Sequence, residues 1–263
     1  MPVEILLDPL IFSLSIISGI VVGFSLGLVG GGGSVLAVPL LLYVVGVKDV
    51  HVAIGTSALA IGVIAIIHLF SHRKNRNLEI KKGITFAFPG IAGTLIGSQL
   101  GLWTSSEYLL ILFAVFMTII GVLMIKKKIT SIETTSGNSG LLLLEKNLSL
   151  SGFSVGILAG YFGIGGGFLI VPTMIYSGGL NIMQAIGTSL VSVSSFGLVT
   201  AGRYLVSGNV DLVIAMLIII GGILGGYLGI KTSEKIPKEK LVKIFSVLLF
   251  GVAAYITART IVV

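Results

Sequence analysis

The sequence predicts an all-α, polytopic transmembrane bundle built from two inverted-topology repeats, with about eight to ten membrane segments. Three observations carry this expectation. Only 10% of the 263 residues are charged and 55% are hydrophobic, where a water-facing domain carries about 25% charge. The mean hydropathy is +1.12, and apolar runs of roughly 15–23 residues, the length that crosses about 30 Å of hydrocarbon, separate short charged stretches. Finally, one ordered series of motifs occurs twice.

The duplication is read directly from the letters. Gly30-Gly-Gly-Gly-Ser-Val-Leu-Ala-Val-Pro39 aligns with Gly163-Ile-Gly-Gly-Gly-Phe-Leu-Ile-Val-Pro172. Upstream, Gly23 and Gly27 match Gly156 and Gly160. Downstream, after a one-residue slip, Ala53-Ile-Gly-Thr-Ser57 recurs as Ala185-Ile-Gly-Thr-Ser189, Asn77-Leu-Glu79 matches Asn209-Val-Asp211, and Gly90, Gly93 and Gly97 match Gly222, Gly225 and Gly229. A first repeat over 1–125, a polar linker over 126–147 and a second repeat over 148–263 follow.

Each repeat reads as five apolar segments. In the first these run over 10–29, 33–47, 52–71, 83–102 and 107–125; in the second over 148–163, 166–179, 184–203, 211–230 and 240–259. The second segment of each set is short and holds a proline, Pro39 or Pro172. Two arrangements fit it: a short span, or a re-entrant hairpin with the segment before. Met1–Asp8 has two acidic residues and no basic one, so the first run reads as a retained span rather than a cleaved signal.

Charge sets the sidedness. The loops 72–82, 126–147 and 231–243 are rich in Lys and Arg, and such loops stay in the cytoplasm. The counterparts of the first and last in the other repeat, 204–210 and 103–107, are nearly free of basic residues. A swapped bias between matching loops means that the repeats are inverted, with both termini outside. The net charge of +7 then reflects cytoplasmic lysines and arginines rather than a nucleic-acid partner.

Inverted repeats interrupted at matching positions point to a transporter with its site near the midplane. The interruptions are Gly30, Gly31, Gly32 and Gly33 before Ser34, and Gly163, Gly165, Gly166 and Gly167 before Phe168. If a helix restarts at Ser34 or Phe168, its first amides lack intrahelical acceptors. With the positive end of the helix dipole they form an anion site that needs no charged side chain. Pro39 and Pro172 either sit in a first turn or free a carbonyl deeper inside. Thr56, Ser57, Thr188 and Ser189 carry hydroxyls that either line a polar pocket or bond back to their own helix. Gln99 either meets the pathway or makes a helix–helix bond. Gly23, Gly27, Gly90, Gly93 and Gly97, with their partners, read as close-packing glycines.

All ten acidic residues fall in loops or at segment ends. Cation carriers and carboxylate relays place an Asp or Glu inside the membrane, so both are disfavoured, as is a metal site. His68 and His72 border the basic loop and read as interfacial, His51 reads as a loop residue, and Arg203 as a helix-end anchor. The chain shows no His-Glu-x-x-His arrangement and no Gly-x-Ser-x-Gly elbow, since the letters Gly23-Phe-Ser-Leu-Gly27 and Gly152-Phe-Ser-Val-Gly156 fall inside apolar runs and not at a strand-to-helix turn; nothing marks an enzyme, and there is no cofactor motif.

Two Gly-rich stretches ending in Val-Pro, each followed by Ala-Ile-Gly-Thr-Ser, resemble the TauE/SafE family of sulfite and organosulfur exporters across nearly the whole chain. The resemblance implies a multi-pass protein of the prokaryotic inner membrane, often with seven or eight spans, that carries a small sulfur-containing anion such as sulfite or a sulfonate. An uncoupled anion channel is the other reading of the same residues, and a metal-cation transporter a more distant one. A homodimer is compatible with the sequence.

Overall fold

The computed structural model describes residues 9–73, 78–126, 141–233 and 251. The apolar run at 240–259, residue 251 apart, and most of the loops at 126–147 and 231–243 lie outside them. Among the described residues the chain is helix and turn only. The helices are α1 (Pro9–Val29), a 3₁₀ segment (Gly30–Leu36), α2 (Ala37–Leu40), a π segment (Leu41–Val45), α3 (Val50–Arg73), α4 (Ile80–Trp103), α5 (Ser106–Lys126), α6 (Leu141–Phe162), α7 (Gly167–Tyr176), α8 (Ile182–Val206) and α9 (Leu212–Ser233). Four of them contain windows long and apolar enough to cross a membrane: Pro9–Val29, Val50–Phe70, Met183–Val206 and Leu212–Thr232.

Hydrocarbon does not drive apolar helices together, so their association rests on close van der Waals contact between small residues. The glycine stripes supply that contact. Gly23 of α1 lies against Gly222 of α9 and Gly27 against Gly226, while Gly156 of α6 lies against Gly90 of α4 and Gly160 against Thr94. A Cβ at any of these four glycines of α1 and α6 would meet the neighbour's backbone. Matching positions thus make matching contacts, and the two halves interlock: the first helix of each packs on the fourth segment of the other.

The same contacts fix direction. Along α1–α9 and α4–α6 the residue numbers rise together, so both pairs are parallel. Gly55 meets Tyr204, whereas Gly62 meets Gly197 and Leu198, so α3 and α8 are antiparallel. Gly83 meets Thr188 and Gly90 meets Phe196, which makes α4 parallel to α8; Gly222 meets Ile64 and Gly226 meets His68, which makes α9 parallel to α3. Hence α1, α3 and α9 run one way and α4, α6 and α8 the other.

Because α1 and α3 share a direction, residues 30–49 must return across the bundle. The matching stretch does the same: Gly163 lies against Ile54 near the start of α3, and at the other end the Lys82 Nζ donates to the Gly178 carbonyl at 2.8 Å. The broken segments are therefore crossings rather than hairpins that turn back.

Polar groups inside the bundle are mostly satisfied locally, as a low-dielectric setting demands. Pro89 lies inside α4 and removes the donor that would reach the Thr85 carbonyl; the Ser149 hydroxyl of α6 approaches that carbonyl at 3.5 Å. Outward faces carry Phe88, Trp103, Tyr108, Met216 and Tyr227, all exposed, the surface a bilayer would cover.

Candidate functional site

The two breaks meet. Gly31 packs directly on Gly167, backbone to backbone, and Val193 of α8 closes over Gly31. Gly165 has Val193 Cγ1 and Ile61 Cγ2 at 3.2 and 3.4 Å from where a side chain would begin. Gly30 and Gly163 hold the same left-handed conformation, φ +71° and +65°, against Ile186 and Ile54, which are themselves matching residues. A left-handed φ strains any residue with a Cβ, so glycine here is dictated by backbone shape as well as by space.

The breaks differ in detail. In the second, Gly166 caps α7 in the left-handed region with no side-chain bond, and the first amide donations back to it come from Leu169 at 3.0 Å and Ile170 at 3.1 Å. The amides of Gly167 and Phe168 precede any intrahelical acceptor, which agrees to one residue with a helix restarting at Phe168. In the first break no helix restarts at Ser34. Gly30–Leu36 stays wound as a 3₁₀ helix, and the buried Ser34 hydroxyl donates to the Gly31 carbonyl at 2.7 Å. Glycine is used there for close approach: Gly33 presses on Ser25 and Leu26 of α1. Pro39 sits inside the four-residue α2, followed by the wide π turn, and Pro172 inside α7. Neither is placed in the first turn of a longer helix, so each leaves a carbonyl one turn earlier without its usual donor.

The Thr-Ser pairs divide by role. The serines bond back to their own helix: Ser57 to the Ile54 carbonyl at 2.9 Å and Ser189 to the Ile186 carbonyl at 2.7 Å. Ser189 Oγ also lies 3.4 Å from the Gly31 amide and accepts from it. The threonines reach across the bundle instead. Thr188 Oγ1 accepts from the Glu79 amide at 3.0 Å, and Thr56 Oγ1 from the Asp211 amide at 2.9 Å. Those are the residues just before α4 and α9, so each threonine caps a helix of the other half. The α3–α8 register puts Thr56 and Thr188 about fifteen residues apart in depth, roughly 22 Å at 1.5 Å per residue. They do not form one pocket.

Gln99 is half-buried on the side of α4 that carries the exposed Leu95, Phe88 and Trp103, opposite the stripe of Gly93, Gly97 and Gly101 that faces α6. The structure does not bring it to the breaks. His51 lies in the first turn of α3 rather than in a loop, with its ring 6.3 Å from that of the fully buried Tyr204. Arg203 is in the last turn of α8, where a cation suits the helix dipole. His68 departs from expectation most: it is 2% exposed, packed on Gly226 of α9. The side chain of His72 lies outside the described residues. Among those residues no three His, Asp or Glu side chains come close enough to hold a metal ion.

A chain of parallel and antiparallel helices broken twice at matching glycines has clear relatives. The family model described as sulfite exporter TauE/SafE matches residues 15–256, and the chain belongs to this family of membrane transporters. A probable membrane transporter protein of Xylella fastidiosa is 41% identical over 245 residues, covering 92% of this chain and 94% of its own. The probable membrane transporter protein MJ0441 of Methanocaldococcus jannaschii is 30% identical, covering 91% and 93%, and YunE of Bacillus subtilis 27%, covering 90% and 94%. No solved structure gives a significant match.

Proposed function

We propose that this multi-pass transporter is a secondary carrier, most simply an exporter, of a small sulfur-containing anion such as sulfite or an organosulfonate. The observation that supports it best is the convergence of the two breaks: the backbones of Gly31 and Gly167 touch, with the amide end of α7 and the hydroxyls of Ser34 and Ser189 close by. Amides at a helix start offer donors to an oxyanion without a fixed charge, and the two hydroxyls, which donate to the Gly31 and Ile186 carbonyls, can turn their protons to it. The substrate contacts in this reading are Gly31, Gly165, Gly166, Gly167, Ser34 and Ser189, while Gly30, Gly163, Pro39 and Pro172 shape the breaks.

Residues 1–125 and 148–263 are two repeats turned over relative to one another, and alternating access is their rocking about the fixed breaks. The antiparallel run of the matching helices α3 and α8 supports this reading. With loops 72–82, 126–147 and 231–243 in the cytoplasm and both termini outside, a thiol label reacts from outside with a Ser105→Cys variant and only from inside with a Lys238→Cys variant.

A thermal-shift panel on the purified protein tests the substrate class: sulfite, thiosulfate, sulfate, taurine, sulfoacetate and an aromatic sulfonate, with nickel and sodium chlorides as controls. A ligand at a hundred times its Kd stabilises the folded state by about 2.7 kcal/mol. Stabilisation by a sulfur anion that Ser189→Ala weakens supports the reading, and saturable counterflow in liposomes separates a carrier from a channel. Stabilisation by nickel alone, with none by any anion, refutes it.

A further inference from the structure

We infer that Thr200 and Tyr204 of α8, with His51 of α3, form a second binding site for the anion, between the glycine breaks and the end of the bundle where α3 begins and α8 finishes. This rests on the anion reading and adds to it a station on the anion's route.

Thr200 continues the line of α8 that faces the breaks. Val193, which closes over Gly31 and Gly165, and Ser189, which receives the Gly31 amide, precede it by close to two and three helical turns. One turn beyond Thr200, Tyr204 sets its Cβ against Gly55 of α3 and its hydroxyl against Gly101 of α4. The second break begins at that depth, because Gly163 lies against Ile54, the neighbour of Gly55. Hydroxyl groups thus follow α8 from the meeting point of the breaks toward its end, where the Tyr204 side chain spans from α3 to α4.

What sets these groups apart is that they are unsatisfied. The α8 hydroxyls of Ser189, Ser194 and Ser195 donate to carbonyls of their own helix, as hydroxyls in helices commonly do. Thr200 and Tyr204 are fully buried, yet among the described residues neither hydroxyl has a hydrogen-bond partner. Nor has the buried Nδ1 of His51, whose ring lies 6.3 Å from that of Tyr204. Ser192 shares this lack two turns before Thr200. Tyr161, which meets Gly101 through its carbonyl, donates its own hydroxyl to Thr104 at 3.1 Å. Valine at 200 and phenylalanine at 204 would fill the same space without stranding a polar atom in a low-dielectric setting, which is costly. Unpartnered groups on three adjoining side chains mark a place where a polar ligand lodges during the transport cycle.

The donors suit an oxyanion. Thr200 and Tyr204 each present an O–H, and His51 an N–H in its Nδ1 tautomer. A cation would need carboxylate oxygens, but Asp49 and Asp211 at this end each turn an oxygen onto the first amides of α3 and α9. The charged residue of α8 here is Arg203, in its last turn. Neutral donors hold an anion loosely enough to pass it on, which a station on a route requires.

The test uses the full-length protein with radiolabelled sulfite, thiosulfate and methanesulfonate. Tyr204→Phe and Thr200→Val remove the oxygens and keep the shapes, so no hydrogen bond of the fold is lost. Both are expected to unfold at or above the wild-type Tm and to keep wild-type affinity in a thermal-shift titration, which reads the tighter site at the breaks. Counterflow into liposomes should slow about tenfold in each, the effect of one lost hydrogen bond to a charged group. Thr200→Ser, which keeps the oxygen, should recover the rate. A lowered Tm or loss of folded protein in either oxygen-free variant shows that its hydroxyl holds the fold together, and overturns the inference. Wild-type counterflow in both, or a Thr200→Ser protein as slow as Thr200→Val, overturns it too, and all of these leave the anion reading standing. If wild type neither binds nor carries any of the three anions, the anion reading itself fails and this inference falls with it.

Discussion

Thr188→Val separates a structural hydroxyl from a substrate-binding one. Valine keeps the shape of threonine and removes the oxygen that receives the Glu79 amide at 3.0 Å. Losing a helix-start acceptor costs about 0.5–2 kcal/mol, and stranding a buried donor costs about 1–3 kcal/mol. The Glu79 side chain makes no cap of its own at α4, so nothing local replaces the lost bond, and a loss near 2 kcal/mol is expected. Thr56→Val removes the matching acceptor of the Asp211 amide. There the Asp211 carboxylate already caps α9 by accepting from the Val213 and Ile214 amides at 2.9 and 3.0 Å, so the expected loss is nearer ~1 kcal/mol. Denaturant unfolding in detergent, followed by circular dichroism, measures both. The double variant should lose the sum to within about 0.5 kcal/mol, because the sites share no partner. Anion affinity should be unchanged in every folded variant. A Thr188→Val protein of wild-type stability with abolished anion binding would refute the cap assignment.

Gly156→Val sets a side chain into the Gly90 backbone and should cost at least ~1–3 kcal/mol as overpacking, seen as a lowered Tm or loss of folded yield; Gly202→Ala, with open space around it in α8, should raise stability by about 0.5–1 kcal/mol. Pro172→Ala restores an amide to the interior of α7 and should raise the Tm while slowing anion flux in liposomes, because a straight α7 no longer bends at the break. Faster flux from the Pro172 variant would show that the break is not needed for movement.

Much of this was legible because repetition turns single residues into pairs. The close-packing glycines and the position of the second break needed only the alignment of the halves. Other features depended on partners more than a hundred residues away. The Thr-Ser pairs looked like pocket linings because the amides of Glu79 and Asp211, which the threonines receive, are distant in sequence. His68 looked interfacial because it precedes a basic loop, but α3 continues to Arg73 and Gly226 opens a slot for the ring. The segment expected over 148–163 starts at Leu141, since Glu145, Lys146 and Asn147 read as linker although all three are wound into α6. The first break reads like the second on paper, yet only Gly30 of its four glycines takes a positive φ, against Gly163, Gly165 and Gly166. Consecutive glycines used for close approach can stay wound; the letters do not distinguish that use from unwinding.

The two halves agree in their caps and differ at two polar side chains, and that contrast bears on direction. Asp49 accepts from the His51 and Val52 amides at the start of α3, and the matching Asn181 forms a reciprocal cap with Gln184 at the start of α8. Thr56 and Thr188 repeat one another in the same way. Two identical inverted halves would give the two faces of a carrier equal energy. The equality is broken by His68, where the second half has Thr200, and by Lys82, whose ammonium holds the Gly178 carbonyl beyond α7 while its counterpart is the buried, apolar Ile214. Both lie toward the end of the bundle where α3 and α9 finish and α4 begins. A difference of only 1.4 kcal/mol between two states changes their ratio about tenfold. One buried imidazole and one ammonium–carbonyl bond are of that order, so the preference for one face over the other need not be spread through the fold and can reside in these two side chains.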